Sequence, residues 1–316
     1  MAEFPQPFRT FRGIHTLTQL IGETASRVRF SPDGILLAIA SDTIPRTYNI
    51  SPPSNTPTLH REFRNGHTGP VTGLAFSSDS RFLATSSSDT TVCLWEVSSG
   101  SLIRTLAGHN GPVSCVKINR VADTIVSGSH DETIRLWDAD SGACKKVIPA
   151  YSGPITDVDF SPDGSMIVAC SIGGLCRIWD TASVYRMITI KEVGIPPVGS
   201  VMFSSDGRFV VIGNMDNTVR IWSMDLVRLQ TFYAGQMNTY GSATFYGADE
   251  RHILSGCQDN CLCIWEMLSG IIVGIIEEAH AGAVASVSCH PSYNMIASAS
   301  LEDTATVKIW SPDFWL

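Results

Sequence analysis

The sequence predicts an all-β fold in which seven similar units of short strands close into a ring, a β-propeller. A tryptophan recurs at intervals of 42 to 45 residues, at positions 95, 137, 179, 222, 265 and 310. An aspartate precedes most of these tryptophans by six residues. Short apolar runs separated by turn-forming residues fill each interval, as expected for antiparallel strands. A fixed period near forty residues is typical of propeller blades.

The most regular copy of the unit occupies residues 108–138. It contains three apolar or alternating runs separated by turn formers, at residues 113–118, 124–127 and 133–137. His109 follows a glycine at its start, and Trp137 precedes an aspartate at its end. A GH start and a WD end on this period resemble the WD-repeat β-propellers. The resemblance extends over residues 16–310 and implies seven four-stranded blades.

The N-terminus is expected to complete the ring. Residues 1–13 precede the first repeat and are expected to form a flexible arm, and residues 14–316 a single propeller domain. Residues 14–20 alternate enough to form a strand, although no earlier blade exists for it. Only six residues follow Trp310, too few for the last blade's fourth strand. Residues 14–20 should supply that strand, which removes the exposed edges of an open array.

The first blade, at residues 24–50, departs most from the repeat. Tyr48 stands where the other blades have tryptophan, while the SPDG turn at residues 31–34 and Asp42 are retained. The connection that follows is longer than the others and rich in proline. Residues 51–58 are therefore expected to form an exposed loop.

Blades 2 and 3 each carry a complete set of three polar or aromatic residues. The sets are His67, Asp89 and Trp95, and His109, Asp131 and Trp137. In WD-repeat proteins these residues and a strand hydroxyl form one buried hydrogen-bonded chain, and the resemblance implies the same here. Ser86, Ser127 or their neighbours are candidates for the hydroxyl, since buried polar groups need partners.

A histidine near serine and aspartate also suggests a hydrolase triad. Against that interpretation, the sets repeat, each is followed by a tryptophan, and no strand–turn–helix nucleophile elbow is present. We therefore expect these residues to be structural and the protein to be non-catalytic. The later blades have lost parts of the set: Tyr151, Gly194 and Gln236 replace histidine, and Asp303 is shifted by one position.

Composition argues against several classes of function. The chain has 22 basic and 30 acidic residues, a net charge of −8, and no basic cluster, so direct nucleic-acid binding is not expected. No segment approaches the length of a membrane span, and the N-terminus lacks a secretory signal, so we expect a soluble, intracellular protein. The nine cysteines follow no disulfide spacing and are expected to be core residues of a reduced protein.

Metal and cofactor sites are not expected. Cys257, Cys261 and Cys263 cluster with His252 nearby, which leaves a zinc site as an alternative to core packing. The spacing lacks the two ligand pairs of structural zinc sites, so core packing is favoured. No glycine-rich phosphate-binding motif opens a helix. We therefore expect no cofactor and no metal ion.

The mouth of the central channel is the expected binding surface of the propeller. Residues five positions after each histidine position should face it, and all are small. They are Ser26, Thr72, Ser114, Thr156, Gly199, Gly241 and Ala285. The mouth is therefore expected to be wide and weakly polar, with no ring of charge and no catalytic group.

Residues 151–183 and 288–310 resemble the seven-bladed WD-repeat subunit of COMPASS and mixed-lineage-leukaemia type histone lysine methyltransferases, and residues 108–148 do so too. The degenerate first blade is most similar to the fungal, Swd-three-type subunit. The resemblance implies a nuclear, non-catalytic scaffold of a histone H3 lysine-4 methyltransferase complex. Its partners would be a SET-domain subunit and that subunit's core partners, with the histone tail as a further ligand.

Animal members of that family grip a partner's arginine between two phenylalanines in the channel mouth, and this chain lacks them. Ser114 occupies one position, and the other falls among Gly241, Ser242 and Ala243. Ser88 replaces an acid of the same pocket. Each arginine–aromatic contact contributes about 0.5 to 2 kcal/mol, so arginine binding cannot be carried over. We expect partners to use other surfaces, such as the loops and outer edges of blades 4 to 6.

Two alternatives remain from the residues themselves. One is a substrate receptor of a ubiquitin ligase, but those proteins have a basic residue shortly after the WD dipeptide, whereas this chain has WDAD at residues 137–140 and WDTA at residues 179–182. The other is a scaffold of an RNA-processing or trafficking assembly. The similarity in blades 4 and 7 argues against the second alternative.

Overall fold

The computed structural model describes residues 11–17, 25–50, 56–150, 153–190, 196–216, 218–225, 228–233, 242–247, 249–256, 260–300 and 306–312. These residues form 28 β-strands and no helix. The strands lie in seven four-stranded antiparallel sheets, which are the blades of a propeller. The predicted all-β, seven-bladed fold is confirmed. The described residues contain no helix that could cross a membrane.

In the first six blades the strand order in the sheet follows the chain from the innermost strand outward. Blade 1 contains β2 (Ala25–Phe30), β3 (Leu36–Ser41), β4 (Arg46–Asn49) and β5 (Thr58–Glu62). Blade 2 contains β6 (Val71–Phe76), β7 (Phe82–Ser87), β8 (Thr91–Glu96) and β9 (Leu102–Ala107). Blade 3 contains β10 (Val113–Ile118), β11 (Thr124–Ser129), β12 (Thr133–Asp138) and β13 (Cys144–Pro149). Blade 4 contains β14 (Ile155–Phe160), β15 (Met166–Ser171), β16 (Cys176–Asp180) and β17 (Arg186–Ile190). Blade 5 contains β18 (Val198–Phe203), β19 (Phe209–Asn214), β20 (Thr218–Ser223) and β21 (Arg228–Tyr233). Blade 6 contains β22 (Ala243–Tyr246), β23 (His252–Gly256), β24 (Leu262–Glu266) and β25 (Ile272–Ile276).

The seventh blade combines the two ends of the chain. It contains β26 (Val284–Cys289), β27 (Ile296–Ser300), β28 (Val307–Pro312) and β1 (Phe11–Leu17). β1 pairs antiparallel with β28, from Phe11 opposite Pro312 to Leu17 opposite Val307. This confirms that an N-terminal strand closes the ring. The strand begins at Phe11, three residues earlier than the alternation predicted, because the pairing continues along the whole length of β28.

Tight turns fix the link between the first two strands of most blades. In blade 1 the Ser31 hydroxyl donates a hydrogen bond to the Asp33 carboxylate and accepts one from the Leu36 backbone N–H. Gly34 adopts a φ of 74°, and a Cβ there would lie 2.5 Å from the His290 ring. Glycine is needed there for both reasons. The same serine–aspartate contact recurs at Ser77, Ser161 and Ser204.

The hydrophobic core lies between neighbouring blades. One cluster joins Ala38 and Phe63 of blade 1 to Leu74 and Trp95 of blade 2, and Trp95 is fully buried. Clusters of this kind recur around the ring, so each blade needs its neighbours to bury its faces. Outer strands are more exposed than inner ones; on β25, for example, Ile272 and Ile275 are exposed.

Tyr48 takes the tryptophan's place in blade 1 without loss of packing. It pairs with Leu37 as Trp95 pairs with Leu83 in blade 2, and it is 2% exposed. Residues 51–55 of the expected exposed loop lie outside the described residues. Its last two residues do not fit that prediction, because Pro57 is buried and Thr58 begins β5.

Most described cysteines pack as small core residues, in keeping with the prediction. Buried thiols are Cys93, Cys115, Cys170, Cys176 and Cys263, whereas Cys144 is exposed. Burial raises the pKa of Cys93 to about 11 and that of Cys115 to about 12. These thiols stay protonated and unreactive at neutral pH.

Candidate interaction site at the axial channel

In blade 2 the expected polar set forms one continuous chain of hydrogen bonds. His67 Nδ1 lies 3.0 Å from the Asp89 carboxylate, and His67 Nε2 lies 2.7 Å from the Thr85 hydroxyl. The Trp95 indole N–H donates to the same hydroxyl at 2.9 Å. Thr85, the neighbour of the candidate Ser86, therefore supplies the hydroxyl group of this chain of hydrogen bonds. Because a carboxylate only accepts, His67 carries its proton on Nδ1 and accepts at Nε2.

Blade 3 repeats the same arrangement. His109 Nδ1 lies 2.9 Å from the Asp131 carboxylate, and Nε2 lies 2.8 Å from the Ser127 hydroxyl. The Trp137 indole N–H donates to Ser127 Oγ at 2.8 Å. Asp131 also accepts hydrogen bonds from the Thr133 hydroxyl and the Asn110 backbone N–H. Every polar atom of the chain is therefore satisfied.

Blade 7 keeps the histidine, hydroxyl and tryptophan of this chain. His280 Nε2 lies 2.7 Å from the Ser298 hydroxyl, to which the Trp310 indole N–H donates at 2.8 Å. Thr306 Oγ1 lies 2.9 Å from His280 Nδ1, as the hydroxyls of Thr91 and Thr133 lie 3.3 Å from the same histidine nitrogen in blades 2 and 3. Sequence spacing pointed to Asp303, which lies outside the described residues, as do Tyr151, Gly194 and Gln236.

Burial sets the charge of these groups. Burial lowers the pKa of His67 and His109, although Asp89 and Asp131 raise it. Burial raises the pKa of Asp131, but hydrogen bonds from Thr133, Asn110 and His109 outweigh it and hold that pKa at about 2. The histidines are therefore neutral and the aspartates ionised at neutral pH.

The geometry of these sets does not suit nucleophilic catalysis. The hydroxyl groups of Thr85 and Ser127 belong to residues with no exposed surface. Each already accepts a hydrogen bond from a tryptophan. A nucleophile must reach a substrate carbonyl, which these positions do not allow. The sets act as clamps that join the strands within each blade.

The small residues expected at the channel mouth join consecutive blades. The Ser26 hydroxyl donates to the Val71 carbonyl at 2.7 Å, from blade 1 to blade 2. The Thr72 hydroxyl donates to the Val113 carbonyl, and the Ser114 hydroxyl to the Ile155 carbonyl. Three hydroxyls thus link the innermost strands of blades 1 to 4. Their donors are occupied within the protein.

The other expected mouth residues are less alike. Thr156 and Ala285 are buried, with Thr156 Oγ1 3.3 Å from the Cys170 thiol. Gly199 is also buried on β18. Ser88 lies in the turn between β7 and β8 rather than on an innermost strand, and its N–H donates to the Pro70 carbonyl. Gly241 lies outside the described residues.

Charged side chains lie along one side of the channel, where the sequence predicted only a weakly polar surface. The innermost strands of four consecutive blades line one cavity, named here the axial cavity. Its lining comprises Arg27, Arg29, Gly73, Leu74, Ser114, Cys115, Val116, Lys117 and Asp157. Asp159 joins this group through Lys117, whose ammonium lies 2.9 Å from its carboxylate. Three cations and two carboxylates therefore lie along the channel.

Sequence reasoning missed these charges because it followed one position per blade. Arg27 and Arg29 are two residues apart on β2, and Asp157 and Asp159 are two apart on β14. Residues two apart share one face of a strand. Charged residues at alternate positions of an otherwise apolar innermost strand were the signal that could have revealed the charged channel.

The two carboxylates are held by the next blade. Asp157 accepts hydrogen bonds from the backbone N–H groups of Val158 at 3.0 Å and Val201 at 3.1 Å. Asp159 accepts one from the Phe203 N–H at 2.9 Å, besides its ion pair with Lys117. Both carboxylates on the acidic side of the channel therefore have hydrogen-bond donors.

The two arginines are not satisfied in the same way. Arg27 donates one hydrogen bond, from Nε to the Thr72 carbonyl at 3.3 Å. Within the part of the chain that the structure describes, neither Arg27 nor Arg29 has a carboxylate within 4.0 Å. Burial lowers the pKa of Arg29, an effect that Asp157 opposes. Arginine side chains are not deprotonated in proteins, so the arginines contribute positive charge to the channel.

The thiols considered as zinc ligands do not form a complete site among the described residues. The sulfur atoms of Cys261, which directly precedes β24, and Cys263, on β24, lie 3.9 Å apart. The described residues contain no group of three or more metal-binding side chains. Cys257 lies outside them.

Comparison with known protein families gives one match over nearly the whole chain. Residues 18–311 match the family model described as the WDR5 beta-propeller domain. Three curated relatives match shorter segments of the chain. Target of rapamycin complex subunit wat1 of Schizosaccharomyces pombe is 40% identical over 79 residues, which are 25% of this chain and 24% of that protein.

Two proteins of Saccharomyces cerevisiae match to a similar degree. Target of rapamycin complex subunit LST8 is 37% identical over 79 residues, 25% of this chain and 25% of that protein. Periodic tryptophan protein 2 is 37% identical over 82 residues, 24% of this chain and 9% of that protein. The matched segments thus span a quarter or less of these relatives.

Proposed function

This chain belongs to the WDR5 β-propeller family, and on that premise we propose that it is a non-catalytic scaffold subunit of a COMPASS-like histone H3 lysine-4 methyltransferase complex. The family match over residues 18–311 carries the proposal. The resemblance of residues 151–183 and 288–310 to the WD-repeat subunit of such complexes supports it. Partner subunits would carry the methyl transfer in the nucleus, while this chain holds them in place.

The surface of the ring supports a scaffold role. WD-repeat propellers generally act through protein–protein contacts, and such contacts use exposed apolar side chains. On the outer edge of blade 4, Tyr185 is 72% and Met187 51% exposed. At the outer edge of blade 6, Leu268 is 66% and Ile271 59% exposed. These two edges are the partner surfaces that we propose.

The channel mouth supports a departure from arginine binding. Ser114, in the position of a clamp phenylalanine, donates its hydroxyl to blade 4 and offers no aromatic face. Arg27 and Arg29 lie in the same channel and would repel an incoming guanidinium. Partners are therefore held through the outer edges rather than through an arginine in the channel.

A second candidate is a scaffold subunit of a target of rapamycin complex. Its support is the local similarity to two proteins with that name, at 40% and 37% identity. That similarity covers a quarter of this chain, whereas the family match covers residues 18–311. The methyltransferase assignment is therefore the first to test.

The test is affinity purification of the tagged chain from its own cells, with mass spectrometry and a methyltransferase assay on histone H3 tails. We expect a SET-domain subunit in stoichiometric amount and loss of lysine-4 methylation when the chain is removed. Recovery of a target of rapamycin kinase would replace the proposal by the second candidate. A cullin adaptor, RNA-processing factors or no partner would refute both.

A surface variant refines the experiment. The double replacement Tyr185→Ser and Met187→Ser removes the apolar edge of blade 4 and should release at least one partner. Val121→Ser is the matched control, because Val121 is 73% exposed on a turn of blade 3. Equal partner recovery from both variants would show that the blade 4 edge is not a docking surface.

A further inference from the structure

The axial cavity combines guanidinium donors that have few partners within the protein with a position between the innermost strands of four blades. Arg27 and Arg29 line it from blade 1, and Lys117 lines it from blade 3. Lys117 is neutralised by its ion pair with Asp159. Arg27 uses one of its five N–H donors on the Thr72 carbonyl, and Arg29 has no hydrogen bond to the described residues. Most guanidinium donors therefore have no acceptor among the residues that the structure describes.

Unpaired charge in a partly buried site is costly unless a ligand or water compensates it. Guanidinium groups bind carboxylate and phosphate oxygens with short, charge-assisted hydrogen bonds. We propose that the axial cavity binds a small oxyanion group between Arg27 and Arg29. The group is a phosphate ion or the carboxylate of a partner's acidic side chain.

Size limits the ligand. The void among the lining residues measures about 280 Å³, including the part that is open to solvent. A single oxyanion group fits such a void, since one water molecule takes up about 30 Å³ in the liquid. The remainder of the ligand stays in the open part of the channel.

Asp157 is the one group in the cavity that opposes anion binding. Its carboxylate lines the cavity, and both of its oxygens accept backbone N–H groups. With Lys117 paired to Asp159, two arginines face one carboxylate, so the balance of charge is positive. Asp157 weakens the electrostatic attraction between the cavity and an anion but does not turn it into repulsion.

The first experiment uses the purified full-length chain and inorganic phosphate, followed by isothermal titration calorimetry at constant ionic strength with chloride as the reference. We expect saturable binding of phosphate to one site. Arg29→Gln and Arg27→Gln should each weaken it at least about tenfold, the loss expected for one charge-assisted hydrogen bond. Arg208→Gln, which removes an exposed cation from a turn of blade 5, should leave the affinity unchanged.

A gain-of-function variant keeps the test valid if an arginine variant fails to fold. Asp157→Asn removes the opposing charge but keeps an oxygen that can accept the Val201 N–H. Phosphate should bind this variant severalfold more tightly. Unchanged or weaker binding by a folded Asp157→Asn variant would overturn the proposal. Equal losses in the Arg29→Gln and Arg208→Gln variants would also do so, because they would indicate surface charge alone.

A second arm distinguishes the two sources of the oxyanion. A short peptide with a central glutamate is compared with the same peptide carrying glutamine. Tighter binding of the glutamate peptide, lost in Arg29→Gln, assigns the site to a partner's acidic side chain. Binding of phosphate with no preference between the peptides assigns it to the free ion. Binding of neither probe refutes the site.

This inference is independent of the methyltransferase proposal, because the probes need no partner complex. A failed purification of the SET-domain subunit leaves the phosphate titration unaffected. An absent oxyanion site equally leaves the outer-edge docking surfaces standing. An arginine-bearing peptide that binds more tightly than the glutamate peptide would contradict the net positive charge that we assign to the cavity.

Discussion

Lys117 Nζ lies 2.9 Å from the Asp159 carboxylate across the junction of blades 3 and 4, with 16% and 13% of the two side chains exposed. A partly buried ion pair of this kind is screened less than one on the surface. It joins two blades that are also linked by side-chain-to-backbone hydrogen bonds, such as the one from the Ser114 hydroxyl to the Ile155 carbonyl. Asp159 extends the link to blade 5 through the Phe203 N–H.

Replacing either member of this pair should destabilise the ring. Lys117→Gln and Asp159→Asn are each expected to lower the free energy of unfolding by about 1 to 3 kcal/mol, because the remaining charge loses its partner. Urea unfolding of both single variants and the double variant gives the coupling energy. A coupling indistinguishable from zero would mean that the two side chains do not interact in solution.

Ser127→Ala tests the hydrogen-bonded chain of blade 3. The change leaves the Trp137 indole N–H and His109 Nε2 buried without a partner, at about 1 to 3 kcal/mol for each unsatisfied group. We expect the free energy of unfolding to fall by about 2 to 4 kcal/mol. Ser98→Ala, at an exposed position of blade 2, should change it by less than about 0.5 kcal/mol. Similar losses in both variants would remove the special role of Ser127.

Stability should fall as the solution becomes mildly acidic. Burial lowers the pKa of His67 and His109 below 6.5, so the unfolded chain binds protons before the folded protein does. The free energy of unfolding therefore decreases as the pH falls below about 6.5, by at most about 1.4 kcal/mol per pH unit for each histidine. Further loss follows below pH 3.8, as Asp131, with a pKa of about 2, is protonated first in the unfolded chain.

Urea unfolding at several pH values between 7 and 5 measures this dependence. His109→Gln removes one of the titrating histidines and should show a shallower slope than the unmodified protein. A slope that is unchanged in the variant would show that His109 titrates alike in the folded and unfolded states.

The glycine of the GH dipeptide has a steric role in blade 2. A Cβ at Gly66 would overlap the ring of Trp95, which is fully buried. Gly66→Ala should therefore force the tryptophan to shift and lower the melting temperature, at a cost of about 1 to 3 kcal/mol. At Gly13 a Cβ would lie 3.5 Å from the Trp310 ring, an ordinary contact. Gly13→Ala is the matched control, and an equal loss there would contradict the steric explanation.

The fold was predictable because the same sequence pattern recurs in most of the blades. A periodic tryptophan, a histidine and a turn aspartate recur, and each copy supports the same blade. The last blade was predictable by subtraction, since only six residues follow Trp310. The start of β1 was not, because Phe11 to Gly13 pair with β28 without an alternating pattern of their own.

The charged channel could not be deduced from the repeat, because its charges do not repeat. Arg27 and Arg29 lie in blade 1, Lys117 in blade 3, and Asp157 in blade 4. Their proximity depends on the curvature of the ring, which brings innermost strands together that are separated by roughly forty residues.

The pairing of Phe11 with Pro312 brings the two ends of the folded ring to the same end of the closing sheet. A pulling force applied to both ends would therefore act on one pair of residues at a time. β1 would peel from β28 like a zip, rather than slide along it with all its hydrogen bonds loaded together. We therefore expect the ring to open first at its closure when it is pulled. Thermal unfolding is different, because each blade is packed against a neighbour on both sides.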